Sequence, residues 1–226
     1  VAPVVHRQGA FWLPTGVTAK ATVKVLSAPF YHAGDHFRNR HLAPVQHFQL
    51  QNTIHWIKSI AIDREAAGAR AGLTRDLNVG HYKPITSDRF VNDCQELIFH
   101  FTPDGRAPLD RSAIGVKYQD ASNVAQWATG GGNRRCRGNT WFIPYQTIQS
   151  PDKDRPHPAT FPPRMPEYCV RRHGVARTTV MMDPFLGLGS SALAAAGLGI
   201  DFVGIEIDRY YLDEAVERTR FAIAHR

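Results

Sequence analysis

The chain has 226 residues, with 27 Lys and Arg against 20 Asp and Glu, a formal net charge of +7 and a pI near 9.6. With 43% hydrophobic and 10% aromatic residues, it can bury a core, and its length predicts one domain with an insertion, or one and a half domains. Cys94, Cys136 and Cys169 form no Cys-x-x-Cys pair, which argues against a disulfide framework or a zinc site and suits a reducing, cytoplasmic compartment. No metal is expected. The sequence shows no run of 18 apolar residues and no signal peptide, so no membrane partner is expected. The basic balance suits a polyanion, because lysine and arginine displace counterions from phosphates.

Three zones follow one another along the chain. Residues 1–62 hold a strand at Ala21–Ala28, then a β-rich run in which Ile54, Trp56, Ile57, Ile60 and Ile62 read as one buried strand. Residues 63–138 change character. They are richer in Gly, Asn, Asp and Arg, contain a short strand at Glu96–Phe101, and end in the densest arginine cluster, Arg134, Arg135 and Arg137. Residues 139–226 return to regular α/β: a strand at 140–144, a helix near 163–173, a strand–loop–helix–strand unit from Val180 to Asp208, and a last helix over 209–224. That helix places Leu212, Ala215, Val216 and Ile223 on one face.

The unit in the third zone carries the chemistry. Val180–Asp183 reads as a strand, Pro184–Gly189 as a glycine turn, and Ser190 as the cap of the next helix. Gly187 and Gly189 let the backbone turn sharply and approach a ligand. Exposed loop amides and a helix N-terminus attract anionic groups, a carboxylate among them. Glu206 ends the second strand, where an acid accepts hydrogen bonds from ribose hydroxyls. Gly187-x-Gly189-x-x-Ala192 also fits a dinucleotide fingerprint. Three features argue against NAD: the acid in Asp183-Pro184-Phe185, the lack of a second mononucleotide half after the unit, and the motif His157-Pro158-Ala159-Thr160-Phe161-Pro162 before it.

Taken together, these residues resemble the permuted, β-class DNA amino-methyltransferases. The resemblance also takes in Asn139–Pro144, similar to the family's DVWxIP strand, and Ile54–Ile60, similar to its WxK strand. It implies an α/β, Rossmann-like S-adenosylmethionine-dependent fold with circularly permuted motif order and a target-recognition insertion. Residues 1–62 would be the N-terminal part of the catalytic domain, truncated on one reading. Residues 63–138 would be the insertion and 139–226 the cofactor-binding part. The cofactor implied is S-adenosylmethionine. Asp183, Pro184, Phe185, Gly187, Gly189 and Ser190 would form its methionine-side loop, and Glu206 would hold its ribose. His157, Pro158, Thr160 and Phe161 would close over it. The wording of His157–Pro162 looks more like the cytosine-N4 members than the adenine-N6 members.

The partner implied is double-stranded DNA, with a cognate restriction endonuclease acting on the same site. Arg134, Arg135, Arg137 and Lys58 are the candidates to touch it, since arginine reads guanine edges or clamps phosphates. For catalysis the family grips the amine of a flipped base with a Ser/Asp/Asn-Pro-Pro-Tyr/Phe motif. The nearest match is Ser27-Ala28-Pro29-Phe30, with Ala28 in place of the first proline. Trp56 would line the base pocket, or else be a core tryptophan. Ser27 lies close to Trp56 for this family's spacing, and two readings stand. Either Ser27–Tyr31 is a degenerate motif, or Ala21–Ala28 is an intervening strand and the motif lies upstream of Val1. Two rival functions stand beside methyl transfer: a binding remnant without turnover, and an NAD-dependent oxidoreductase.

Overall fold

A computed structural model describes residues 26–27, 49–80, 88–118, 134–144 and 160–225. Among the described residues, the main sheet has four strands. β1 (Leu26–Ser27) pairs with β5 (Gln95–Thr102), β5 with β2 (Gln49–Ile57), and β2 with β8 (Thr140–Phe142). β5 runs antiparallel to both neighbours, whereas β2 and β8 are parallel. The register sets Ile54 opposite Ile98 and Trp56 beside Trp141. Side chains alternate between faces along a strand, so Ile54 and Trp56 enter the same core. They join Ile98, Ile114, Trp141, Ile143, Met165 and Cys169, with Phe161 and Tyr168 packed at the edge. Trp56 donates its indole N–H to the Ile143 carbonyl at 2.9 Å, so its single polar atom is satisfied in the core. Truncation of such a residue to alanine costs about 3–5 kcal/mol.

The strand expected to run unbroken through Ile62 stops at Ile57. The Lys58 amide donates to the Cys94 carbonyl, and β3 (Ile60–Ile62) leaves to pair with β4 (Leu77–Val79). Gly80 makes that departure possible. Its φ is +97°, and a Cβ there would lie 2.4 Å from the Lys58 carbonyl oxygen. Between these strands, Asp63 caps the short helix α1 (Arg64–Ala67) by accepting from the Glu65 and Ala66 amides.

Residues 63–138 hold elements of two kinds. β5 falls inside that zone, yet it is a central strand of the main sheet. Outside the main sheet lie β4, which pairs with β3 just before the zone, and a second small pair, β6 (Val116–Lys117) with β7 (Arg134–Arg135).

Helix α2 (Arg164–His173) covers the sheet with Met165, Pro166, Cys169, Val170 and His173. Pro166 is tolerated because a proline in the first helical turn breaks no intrahelical bond. Arg171 and Arg172 place positive charge at the helix's negative end. After it, β9 (Val180–Asp183) and β10 (Asp201–Gly204) pair in parallel, joined by α3 (Ser190–Leu198). Among the described residues these two strands pair only with each other. α4 (Arg209–Ala224), capped by Asp208, packs on α3, and α3 packs on α2. Leu186, Ala192 and Ala215, with Phe202 and Leu212, make the second core. Ile223, expected on the buried face of α4, is 55% exposed, because the helix outruns the short α3 beneath it. No described helix is long and apolar enough to cross a membrane.

Candidate functional site

The site is built where β9 ends. One Asp183 carboxylate oxygen accepts the Phe185 amide at 2.9 Å, and the other accepts the Ser191 hydroxyl at 2.5 Å. The acid therefore fixes both the first turn of the loop and the first turn of α3. Backbone bonds lock the loop to the end of β10: the Ile205 amide donates to the Asp183 carbonyl and the Leu186 amide to the Ile205 carbonyl.

Glu206 lies two residues beyond β10, which ends at Gly204. One of its oxygens accepts the Gly187 amide at 2.7 Å. The other accepts the Ile207 and Asp208 amides at 2.9 and 3.0 Å. A carboxylate oxygen has two lone pairs, so the oxygen facing Gly187 keeps one for a ligand hydroxyl.

Two sequence expectations change here. The loop was expected to present open amides, but those of Phe185, Leu186, Gly187 and Gly189 are all bonded within the protein. The loop's contribution is its shape. Ser190 was expected to cap α3, but Gly189 occupies the cap position with φ +79° and no side-chain cap bond, and Ser190 is buried as the first helical residue. A Cβ on Gly189 would meet the Ala215 Cβ at 2.9 Å, so the close packing of α4 requires glycine here. The residue that does the bonding is Ser191, through Asp183. Two large apolar side chains flank the loop in solvent, Phe185 at 83% and Ile207 at 101% exposure. Ile207 was not singled out by its sequence context; an apolar residue directly after the acid was the available signal.

The other predicted residues fall as follows. Thr160 and Phe161 are half-buried just before α2, with Phe161 against the main core. His157, Pro158, Pro29 and Phe30 lie outside the described residues, and Ser27 is described only as a β1 position paired with Ile98. Trp56 is 2% exposed, so the core reading holds and the ring offers no open face to a base. Lys58 is paired with Glu96 at 3.0 Å. Arg134, itself exposed, donates to the Gly115 carbonyl, and the half-buried Arg137 donates to the Ile114 carbonyl, so both brace the segment that leads into β6. Arg135 is exposed.

The cavity between the sheet and α2 is elsewhere. It measures about 30 Å³ and is lined by Asn52, His100, Asn139, Arg172 and His173 among others, with no residue of the glycine loop. Burial, His173 and Arg172 push the His100 imidazole down to about 4, and burial with Arg177 lowers His173. Among the described residues, no group of three or more His, Cys, Asp or Glu is placed to hold a metal.

A family model described as DNA methylase matches residues 1–217. The chain belongs to this DNA methylase family. With the family come the Rossmann-like fold and S-adenosylmethionine as methyl donor. A type II methyltransferase, M.ScaI of Streptomyces caespitosus, is 44% identical over 62 residues. That match spans 27% of this chain and 20% of the relative's length. In structure the chain is similar to the PvuII DNA methyltransferase (cytosine-N4-specific), with TM-score 0.52 and 13% identity over 91% of this chain and 69% of that one. It is also similar to the M1.HpyAVI–SAM complex, with TM-score 0.47 and 16% identity over 82% of this chain and 71% of that one. The PvuII likeness is one of fold. The donor set fits the family's cofactor: one acid, Asp183, ends β9, another, Glu206, follows β10, and a tight glycine turn is bonded to both.

Proposed function

We propose that this chain is a site-specific DNA methyltransferase that moves a methyl group from S-adenosylmethionine to the exocyclic amine of a flipped base, with cytosine N4 preferred. The observation that carries the reading is the bond from the Gly187 amide to Glu206. It joins the glycine turn of β9 to the acid after β10 and leaves that acid a free lone pair. When bound, the cofactor supplies a methyl group on a positively charged sulfur. Asp183 and the turn it fixes would face the cofactor's amino-acid end. Glu206 would accept a ribose hydroxyl, and the exposed Ile207 and Phe185 would pack on the apolar faces of the nucleoside. His157, Pro158, Thr160 and Phe161 would close the site from the side of α2.

The amine is itself the nucleophile, so no cysteine adduct is required. Cys169 suits that: burial pushes its thiol up to about 12. Preference for cytosine rests on the wording of His157–Pro162 and agrees with the cytosine-N4 specificity of the PvuII methyltransferase, whose fold this chain shares. Double-stranded DNA is the proposed substrate. Arg135 is the proposed phosphate contact, and a restriction endonuclease sharing the site is the proposed companion. Ser27, with Pro29 and Phe30, is the candidate amine grip. The second reading, binding without turnover, is favoured by Ala28 standing where the motif has a proline.

A tritiated-donor assay on unmethylated DNA, digested to nucleosides, tests the proposal. Label in N4-methylcytosine is expected. Label in N6-methyladenine removes the base preference, and cofactor binding with no label supports the second reading.

A further inference from the structure

Tyr168 sits half-buried on α2, one ring among three charged or aromatic groups. The Arg137 guanidinium lies 5.2 Å from its ring centroid and that of Arg164 5.9 Å, while Trp141 packs edge-on at 5.7 Å. Arg137 follows β7 and also holds the Ile114 carbonyl at 2.8 Å. Arg164 opens α2, three residues after Phe161. One tyrosine therefore grips the arginine that braces the proposed recognition segment and the arginine next to the proposed cofactor segment. Two like charges share this ring because its negative face attracts both.

Further bonds run the same way. The Asp110 amide donates to the Arg172 carbonyl at 2.8 Å, Arg172 donates to the Gly138 carbonyl at 3.3 Å, and Arg177 donates to the Pro108 carbonyl at 3.0 Å. Helix α2 and the turn after it thus hold both flanks of the β6–β7 pair. We infer that Tyr168 is a positioning residue, joining the recognition segment to the cofactor segment so that DNA binding and cofactor binding strengthen each other. The inference rests on the proposed function, and such coupling is reciprocal between the two ligands.

The test is calorimetric titration of S-adenosylmethionine with and without saturating unmethylated duplex DNA. The wild-type chain should bind the cofactor at least about fivefold tighter with DNA present. Tyr168→Phe keeps the ring and should keep that ratio. Tyr168→Leu and Arg137→Ala should bring the ratio close to one while leaving cofactor affinity without DNA nearly unchanged. A wild-type ratio in both of these variants, or a lost ratio in Tyr168→Phe, overturns the inference. Hydrogen exchange reads the clasp with neither ligand. Tyr168→Leu should raise exchange across 108–118 and 134–139, Tyr168→Phe should not, and an unchanged pattern in Tyr168→Leu overturns the clasp. A wild-type chain that binds no S-adenosylmethionine overturns the proposed function and the coupling with it. The exchange arm then still decides whether Tyr168 joins the two segments.

Discussion

Single side chains decide how the loop after β9 is held. Ser191→Ala removes the hydroxyl that Asp183 accepts at 2.5 Å and leaves that carboxylate oxygen without its donor. The loss should cost roughly 1–2 kcal/mol in a chemical-denaturation midpoint shift, together with weaker cofactor binding. The thiols provide a second check. Partial burial opposes ionisation of Cys136, but the Gly138 amide, Arg172 and Arg111 outweigh it and lower its pKa, while burial alone holds Cys169 up at about 12. Iodoacetamide at neutral pH should therefore label Cys136 well before Cys169 in the native chain. Equal rates would contradict the packing of α2. Residue type and spacing single out Gly189 and Glu206, and the structure places both at the loop after β9. Ser191 was not legible in the sequence, since its partner is set by how tightly the turn closes. Trp56 was read both as a pocket wall and as a core residue, and only the register with β8 decides between them.

At the scale of elements, periodicity found β2, β5, β8, α2 and the β9–α3–β10 unit to within a few residues. It missed the break after Ile57, which depends on Gly80 fitting against the Lys58 carbonyl from far along the chain. It also drew the recognition zone across β5. Composition changes at residue 63, but sheet membership is settled by pairing with β2, a long-range fact that local composition does not carry. The arginine cluster shows the same limit. Density in sequence marks Arg134, Arg135 and Arg137 alike, and the fold gives two of them backbone partners, the Gly115 carbonyl for Arg134 and the Ile114 carbonyl for Arg137. Gly189→Ala tests the α3–α4 contact. A side chain at φ +79°, 2.9 Å from Ala215, should destabilise the protein by about 1–3 kcal/mol and lower its melting temperature. An unshifted melt would mean that the two helices are not this close.

At the scale of the whole molecule, acid should weaken the fold. The imidazole of His100 takes its proton only near pH 4 in the folded chain but near its ordinary 6.5 when unfolded. Between those values the unfolded state binds more protons, so stability falls as pH drops from about 6.5 toward 4. His173, lowered by burial and Arg177, adds in the same direction. Urea midpoints at pH 7 and pH 5 should show this loss, and His100→Gln should flatten it. The two cores meet through α2 and α3. On the proposed function, the Glu206-braced glycine turn is the S-adenosylmethionine site. Calorimetric titration of that cofactor into the wild-type chain and into Glu206→Ala tests it most directly. Saturable one-to-one binding to the wild type, weakened at least about tenfold in the variant while both remain folded by circular dichroism, is the predicted result. No binding to the wild type, or equal binding to both, would contradict it.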